Sequence, residues 1–471
     1  MTALVTGGRG GIGRAIVEAH VDAVAVDLPE FDVGSREAWA SLEGAFDVAF
    51  LNAGIGIGYP DVAELPDDEI ARIVDANFLG VVYGARECAR RLMPNGGSIV
   101  CTASLAGLTG DLYVNKVAGN WLWGLAGSTT TPGFEVNDIG FQRRVDRISG
   151  AAYAGYHWTK PGRVFRESSA FLSMGPSWNY DLDNIQKAFT AFAFGTFRNF
   201  WGYNASVAYS ARALDDRLTR GGPLAATPAA WNAFTEVFSD LRRPVSFDAS
   251  VSYSWNDADG WTLDLTPSVQ VRPSGAVSFS LGPEYVVGRD AAQYVTQVSD
   301  PTATATLGAR YVFAELAQHS VNVALRLNVT FSPILSFQLY AQPFVFTGAY
   351  TQFKELRARR TYTFNVFGQD NGSTIAYDGA ANAYTADPDG AGPAAAFSFD
   401  NPDFRTRSLR SNAVLRWEYR PGSTLFVVWT QSRHGDFGDP SFDLTRDLGR
   451  ELLRDRPTNV LLVKLNYWLS R

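Results

Sequence analysis

The chain has 471 residues, 41 Lys and Arg against 48 Asp and Glu, a net charge of -7 and an isoelectric point near 5.3. That length supports two or three folding units, and an acidic balance with no basic run excludes nucleic acid held through phosphate neutralisation. Both cysteines, Cys88 and Cys101, fall in the first 111 residues, which suits a reducing compartment there and excludes a disulfide framework for the remainder.

The opening residues, Met1 to Arg9, lack a basic flank, a long apolar core and a small-residue cleavage site, so they read as a strand and not as a signal peptide. No run of about 18 apolar residues occurs, so no transmembrane helix is expected. Transmembrane barrels escape that criterion because their strands alternate polar and apolar residues.

Ala3 to Thr6 is a short apolar run entering Gly7-Gly8-Arg9-Gly10-Gly11-Ile12-Gly13, and helical periodicity follows from Ile12 to Ala19. Strand, glycine turn and helix in that order make a phosphate cradle: the backbone turns tightly, approaches a pyrophosphate and offers it the free N–H groups of the helix start. A second apolar run, Ala23 to Val26, ends at Asp27. A carboxylate there accepts hydrogen bonds from both ribose hydroxyls and repels a 2′-phosphate, which favours NAD over NADP. A solvated acid at a strand end is the bland alternative.

The spacing Thr6-Gly7-x-x-x-Gly11-x-Gly13 resembles the fingerprint of short-chain dehydrogenases, and further matches follow in that family's order. Asp32-Val33 resembles the pair whose acid contacts adenine. Asn52-Ala53-Gly54, closing the apolar run Val48 to Leu51, resembles the motif that steadies the central sheet beside the cofactor. Asn77, within a helix expected from about Asp67 to Arg91, matches the structural asparagine of the catalytic tetrad, and Ser104 matches the serine that hydrogen-bonds the substrate carbonyl. The link His20 to Asp22 is shorter than in typical members, so a trimmed first helix is expected.

In that family a tyrosine, with a lysine four residues later, is the general acid/base of hydride transfer. A free phenol near pH 10 needs such a cation to work at neutrality. Here the candidates are Tyr113 and Lys116, three apart and soon after Ser104, in a segment, Val114 to Gly124, that reads as a glycine-broken strand. The resemblance therefore ends near residue 111 with the catalytic pair missing.

From residue 112 the pattern changes to strands alone. Phe247, Ala249, Val251, Tyr253 and Trp255 interleave with Asp248, Ser250, Ser252 and Ser254, and Val321 to Phe331 repeats the alternation. The runs are long enough to cross a bilayer when tilted. Aromatics sit at run ends (Trp178, Tyr180, Trp201, Tyr203, Trp255, Trp261, Tyr467, Trp468), and tight turns such as Arg272-Pro273-Ser274-Gly275 and Arg420-Pro421-Gly422-Ser423 contrast with long polar loops expected over Asp215–Arg242 and Gln352–Arg407. An antiparallel transmembrane-type barrel of about fourteen strands, give or take two, is expected; a soluble sandwich or solenoid is the alternative.

Tyr113 to Asn120, Pro132 to Phe141 and Val463 to Leu469 resemble a bacterial outer-membrane barrel family of unknown function. Its members usually carry an N-terminal domain like family-nine carbohydrate-binding modules. The resemblance covers residues 112–471 and implies a surface or transport role linked to saccharides. Further barrel strands precede the match in that family, so closure of this barrel is in question.

Asp387-Pro388-Asp389-Gly390 could form one side of a calcium site but lacks the EF-hand spacing. His20, His157, His319 and His434 show no metal-ligand spacing, and Asn137-Asp138 reads as turn chemistry; no metal is expected.

The fold expected is thus a partial α/β Rossmann-like domain, 1–111, followed by a β-barrel, 112–471. Function reads first as a chimera of two gene fragments, an NAD-binding half-dehydrogenase joined to an outer-membrane barrel. Alternatives are an active NAD-dependent oxidoreductase with an appended β domain, or an outer-membrane barrel with a soluble appendage. The expected partners are a dinucleotide for the first part, placed in the cytoplasm, and outer-membrane lipid for the second. An intact chain without a signal peptide is at odds with export.

Overall fold

The computed structural model describes residues 2–20, 22–55, 66–92, 98–101, 109–116, 118–134 and 144–469, and the chain divides into two compact units, Met1–Gly110 and Asp111–Arg471.

The first unit runs β1 (Ala3–Thr6), α1 (Gly11–Ala19), β2 (Ala23–Val26), α2 (Arg36–Ala40), β3 (Val48–Leu51), α3 (Asp67–Val74), one π-helical turn (Asp75–Leu79), α4 (Gly80–Leu92) and β4 (Ser98–Cys101). The four strands form a parallel sheet in the order β2-β1-β3-β4. All four residues of β1 are buried, as befits an inner strand of a parallel sheet. The first helix has only nine residues, yet β2 is retained beside β1.

Trp39 organises the core of this unit. Its indole N–H donates to the Val33 carbonyl at 2.8 Å, its ring meets Phe31 edge-on at 5.0 Å, and a Cβ at Gly84 of α4 would lie 2.7 Å from it. Ser35 caps α2 by accepting from the Ala38 N–H. Leu4, Ala49, Leu51, Cys88 and Leu92 complete the cluster.

The second unit contains β5 (Thr109–Lys116), β6 (Trp121–Thr130), β7 (Arg147–Trp158), β8 (Phe165–Trp178), β9 (Asn184–Phe197), β10 (Gly202–Ser210), β11 (Ala213–Asp215), β12 (Ala225–Thr227), β13 (Ala230–Phe238), β14 (Val245–Asn256) and β15 (Trp261–Ser274). It continues through β16 (Val277–Ser299), β17 (Ala309–Ser332), β18 (Leu335–Leu356), β19 (Phe364–Val366), β20 (Thr374–Asp378), β21 (Ala383–Asp387), β22 (Phe397–Asp400), β23 (Phe404–Arg420), β24 (Ser423–Phe437) and β25 (Thr458–Asn466).

Sixteen of these form one sheet, in the order β25-β24-β23-β18-β17-β16-β15-β14-β13-β10-β9-β8-β7-β6-β5 with β19 branching from β18. The sequence predicts a barrel whose closure is in question; the sheet order runs open from β5 to β25, and no pairing joins those two ends among the described residues. The sheet is nonetheless curled, because Arg360, which follows β18, bonds Asp183 between β8 and β9 at 2.7 Å.

Short connections (275–276, 333–334, 421–422) gather at one end and long ones (211–229, 357–403, 438–457) at the other. Two of the expected polar loops carry structure. Asp215–Arg242 contains β12 and β13, and Gln352–Arg407 contains β19 and a separate three-stranded sheet, β20-β21-β22. The cause is tertiary: Phe397 and Phe399 of β22 and Tyr384 of β21 have apolar partners on β17 and β18 to pack against.

The alternation within the sheet is inverted relative to a soluble protein. Along β14 the apolar Val245, Phe247, Val251, Tyr253 and Trp255 are the exposed residues, Phe247 at 53%, while Ser246 is 3% exposed. The arrangement changes at the long-loop end of β16 to β18. There Ala309, Tyr311 and Phe313 enter one hydrophobic cluster and Val312 and Ala314 another, so both faces are covered.

Burial pushes the Cys88 thiol from its ordinary value near 9 up to about 11. The unfolded chain then gains by ionising a thiol that the fold keeps neutral, so this contribution to stability is whole below pH 9 and is lost between about pH 9 and 11. Exposed Cys101 is expected to react with iodoacetamide at pH 8 while Cys88 stays unlabelled until denaturant is added. Trp39→Ala should destabilise the first unit by about 3–5 kcal/mol and admit label to Cys88, read by mass spectrometry; equal labelling of both thiols in the unaltered protein would contradict this packing.

Candidate functional site

The carboxyl ends of β1, β2 and β3 open into a cleft of about 470 Å³ lined by Gly7, Gly10, Gly11, Ile12, Asp27, Leu28, Phe31, Asp32, Val33, Asn52, Ala53, Gly54, Ile55 and Ala76. This is where parallel α/β sheets bind ligands, because strand ends and helix starts converge there.

Thr6 ties two strand ends together. Its buried hydroxyl accepts the N–H groups of Asn52 and Ala53 at 2.9 and 3.0 Å, holding the end of β3 against β1. Gly7 follows at φ +66°, and a Cβ there would lie 2.8 Å from the Ala53 Cα. Gly13 is tighter still, since its Cβ would meet the Gly7 carbonyl oxygen at 2.1 Å and the Asn52 side-chain nitrogen at 2.8 Å.

Gly11 differs from both. Nothing lies within 4 Å of where its Cβ would stand. It opens α1, whose cap residue Gly10 makes no side-chain capping bond and whose first turn holds no acidic residue. The N–H groups of that turn lack intrahelical acceptors, so the helix start offers donors and positive potential to an anion. Ile12, 64% exposed, stands beside them on the cleft wall.

Asp27 sits opposite. One carboxylate oxygen accepts the Arg9 N–H and the other the Leu28 N–H, both at 2.9 Å. The Arg9 side chain donates to the Leu28 carbonyl and pairs with Glu30 at 2.9 Å, and that hydrogen bond is the main cause holding the Glu30 carboxyl below its usual range. Asp32 accepts the Gly34 N–H at 2.9 Å, which folds the segment back so that buried Val33 can present its carbonyl to Trp39.

Asn77 lies in the π-helical turn. Its side-chain oxygen accepts the Ile55 N–H and its side-chain nitrogen donates to the Ile55 carbonyl, each at 2.8 Å. It therefore clasps the strand-end segment that follows Gly54, and both of its polar atoms are engaged in doing so.

Ser104 and Asn137-Asp138 lie outside the described residues. Tyr113 and Lys116 belong to β5 in the second unit. Three residues apart on a strand, they point to opposite faces. The Lys116 ammonium donates to the Ala118 and Trp121 carbonyls, both at 2.6 Å, and so closes the turn into β6.

Asp387 accepts the N–H groups of Asp389 and Gly390 within its own turn, and no group of three metal-ligating side chains occurs among the described residues. Sequence reasoning had passed over Arg9 and Gly10. Both sit inside the glycine run, and a charged residue between phosphate-cradle glycines was the available signal.

Residues 26–115 match the model of the short chain dehydrogenase family, and residues 73–470 match that of a domain of unknown function, DUF5916. The 3β-hydroxysteroid dehydrogenase 2 of Eggerthella lenta is 30% identical over 141 residues, covering 23% of this chain and 54% of that protein. The NAD(+)-dependent 2-dehydro-3-deoxy-L-rhamnonate dehydrogenase of a Sphingomonas species is 30% identical over 139 residues, covering 23% and 55%. The chain spans about half the length of the curated relatives it matches.

Among solved structures, NAD+-bound xylitol dehydrogenase is 27% identical with a TM-score of 0.19, covering 22% of this chain and 54% of that one. The closed form of serine dehydrogenase with NADP+ is 23% identical with a TM-score of 0.20, covering 23% and 55%. The N-terminal unit resembles short-chain dehydrogenases, and the chain as a whole, matched from residue 73 to residue 470, belongs to the DUF5916 family of unknown function.

Proposed function

We propose that residues 1–111 hold an NAD-type dinucleotide without carrying out hydride transfer, and that residues 112–471 form an outer-membrane-type sheet whose apolar face meets lipid. The chain then joins the cofactor-binding half of a short-chain dehydrogenase to part of an unrelated membrane protein. A short chain dehydrogenase match that stops at residue 115 and a DUF5916 match that runs on to residue 470 support a two-part chain.

The observation that carries the first half is the space reserved at Gly11. Gly7 and Gly13 are glycine because the protein itself fills the room a side chain would need, whereas Gly11 faces nothing within 4 Å. Space kept clear beside uncapped helix N–H groups fits a pyrophosphate. Asp27 would receive the adenosine ribose hydroxyls, with Asp32 and Val33 beside the adenine and Asn52, Ala53 and Gly54 on the far wall. A bound nicotinamide would supply a hydride acceptor, but Tyr113 and Lys116 sit on opposite faces of a strand and cannot act as the acid/base pair. Ser104 and Asn77 are left as a substrate contact and a positioning residue with no partner for the proton.

Gly11→Val should abolish NAD binding, measured by titration calorimetry, while leaving the melting temperature of the first unit within a few degrees. Gly13→Ala should unfold or strongly destabilise it. Asp27→Ala should shift the NAD to NADP affinity ratio toward NADP by about tenfold, the equivalent of about 1.4 kcal/mol. Carbonyl reduction should be negligible throughout; robust turnover that disappears in Ser104→Ala would overturn the proposal.

For the second unit the carrying observation is the exposed apolar face. From Val245 to Trp255 it spans eleven residues of β14, about 33 Å along the strand, which projects to about 25 Å at the tilt of barrel strands, the height of a lipid-facing band. Trp231, Trp255 and Trp261 flank it at the long-loop end, and Trp121, Trp158 and Trp417 at the short-turn end, where amphipathic rings favour the membrane interface.

Val251, midway along that band, discriminates lipid from water. In a bilayer Val251→Arg should cost about 2–4 kcal/mol, whereas Ser252→Arg on the enclosed face should be tolerated; heat-modifiable migration and urea titration in lipid vesicles read both. Indifference of the folded sheet to arginine at Val251 would place that face in water.

A further inference from the structure

Charge on the polar face of the large sheet is sorted by strand. Glu236, Asp248, Asp264 and Glu284 stand on β13 to β16, and the pairing register places all of them on the face of Ser250 and Ser252. Beyond them the sign reverses. Arg326 of β17, Arg410 of β23 and Lys464 of β25 occupy the same face, in a chain whose net charge is -7.

The two arginines lack counter-charges. Arg310 and Arg407, at the long-loop end, are held by carboxylates, whereas Arg410 has no hydrogen bond or ion pair to any described residue. Arg326 has only the ring of Tyr340, whose centroid lies 5.2 Å from the guanidinium carbon. Stacking on a ring leaves the N–H donors at the guanidinium edge unspent. Nearby acids are committed elsewhere. Tyr340 donates to Gln342, Gln342 to Asn322 and Asn322 to Glu284, at 2.9, 2.9 and 3.1 Å, so Glu284 ends a relay across β18, β17 and β16. Asp436 of β24 accepts from Thr406 and bonds His434.

Open space fronts both arginines. Arg410 borders a cavity of about 530 Å³ with Gln342 and Ser432, and Arg326 borders one of about 360 Å³ with Tyr340 and Asn412. Arg326, Tyr340 and Asn412 form one cross-strand row, and Gln342 and Arg410 face each other one step along β18 and β23, so the two spaces adjoin. Two strand spacings and that step put the arginine Cα atoms about 12 Å apart.

We propose that this is a site for a small multivalent oxyanion, a phosphate or a polycarboxylate, gripped between Arg326 and Arg410 with Asn412 and Ser432 as neutral donors. Guanidinium forks match the paired oxygens of such anions, and charges of one sign between low-dielectric walls focus their field on the space between them. A cation is repelled there, and a neutral solute leaves both guanidinium groups without a counter-charge. The site is separate from the helix start at Gly11 and does not depend on lipid at the sheet's other face.

The test uses the full chain folded in octyl tetraoxyethylene detergent, titrated by calorimetry with inorganic phosphate and with citrate at an ionic strength fixed by sodium chloride. At least one of the two should bind. Arg326→Gln and Arg410→Gln should each weaken it at least tenfold, and Arg410→Lys, which keeps the charge and loses the fork, should fall between. Exposed Lys160→Gln, which removes the same charge from the connection after β7, should change nothing. Should Arg326→Gln disturb the packing of Tyr340, Arg410→Gln, with no partner to lose, carries the comparison.

No binding of either anion by a sheet whose heat-modifiable migration shows it folded would overturn the proposal. So would binding unchanged in the glutamine variants, an equal loss in Lys160→Gln, or binding that disappears in Gly11→Val and therefore belongs to the first unit. Val251→Arg reads lipid insertion separately, so failure of the lipid-facing reading and failure of anion recognition are told apart.

Discussion

A β-strand has two faces, and in most of the large sheet the apolar one is turned outward. Phe247, Val251, Tyr253 and Trp255 stand exposed while Ser246, on the other side of the same strand, is buried. Water penalises that arrangement by about 25 cal/mol for each Å² of apolar surface left in contact with it. A hydrocarbon environment would remove that penalty, which is the ground for the lipid-facing reading proposed above, and two other properties of the sheet accord with it. Its backbone groups are paired strand to strand from β5 to β25, as a low-dielectric surrounding requires, and its aromatic rings gather near strand ends.

The long-loop end obeys the opposite rule. β16, β17 and β18 run to more than 20 residues, beyond the apolar band, and there the chain builds two conventional cores around Tyr311 and Phe313 on one side and Val312 and Phe353 on the other. Arg310, nearly buried, is neutralised by Asp300 and by Glu355 at 2.6 Å. Arg407 is held similarly by Asp455 and Glu451. A buried cation left alone would cost several kcal/mol, so these carboxylates are conditions for the packing of the long-loop end.

The first unit solves a different problem. Its cleft is shaped by backbone contacts and not by bulk: Thr6 gathers β3 onto β1, Gly7 and Gly13 let two turns approach within van der Waals distance, and Asn77 clasps the segment after Gly54. Each removes a degree of freedom from a loop that would otherwise be mobile, which leaves the space in front of Gly11 defined before any ligand arrives.

Local chemistry made much of this legible. The glycine spacing, the apolar runs of β1, β2 and β3 and the acid at Asp27 are short-range features, and a short-range code is read from adjacent residues. So is the alternation of β14 or β17, which establishes that two faces differ. What no alternation contains is which face is covered, because that depends on strands dozens of residues away. The openness of the sheet order, the folding of 357–403 into a small sheet and the stacking of Phe171 on Phe192 and Phe194 arise from non-local pairing. Sequence by itself thus determined the elements, the cofactor-binding motif and the two-part character of the chain. Tertiary structure alone decided that the apolar face points outward and that Tyr113 and Lys116 stand on opposite sides of a strand, since facing and neighbourhood are properties of paired backbones and not of residue order.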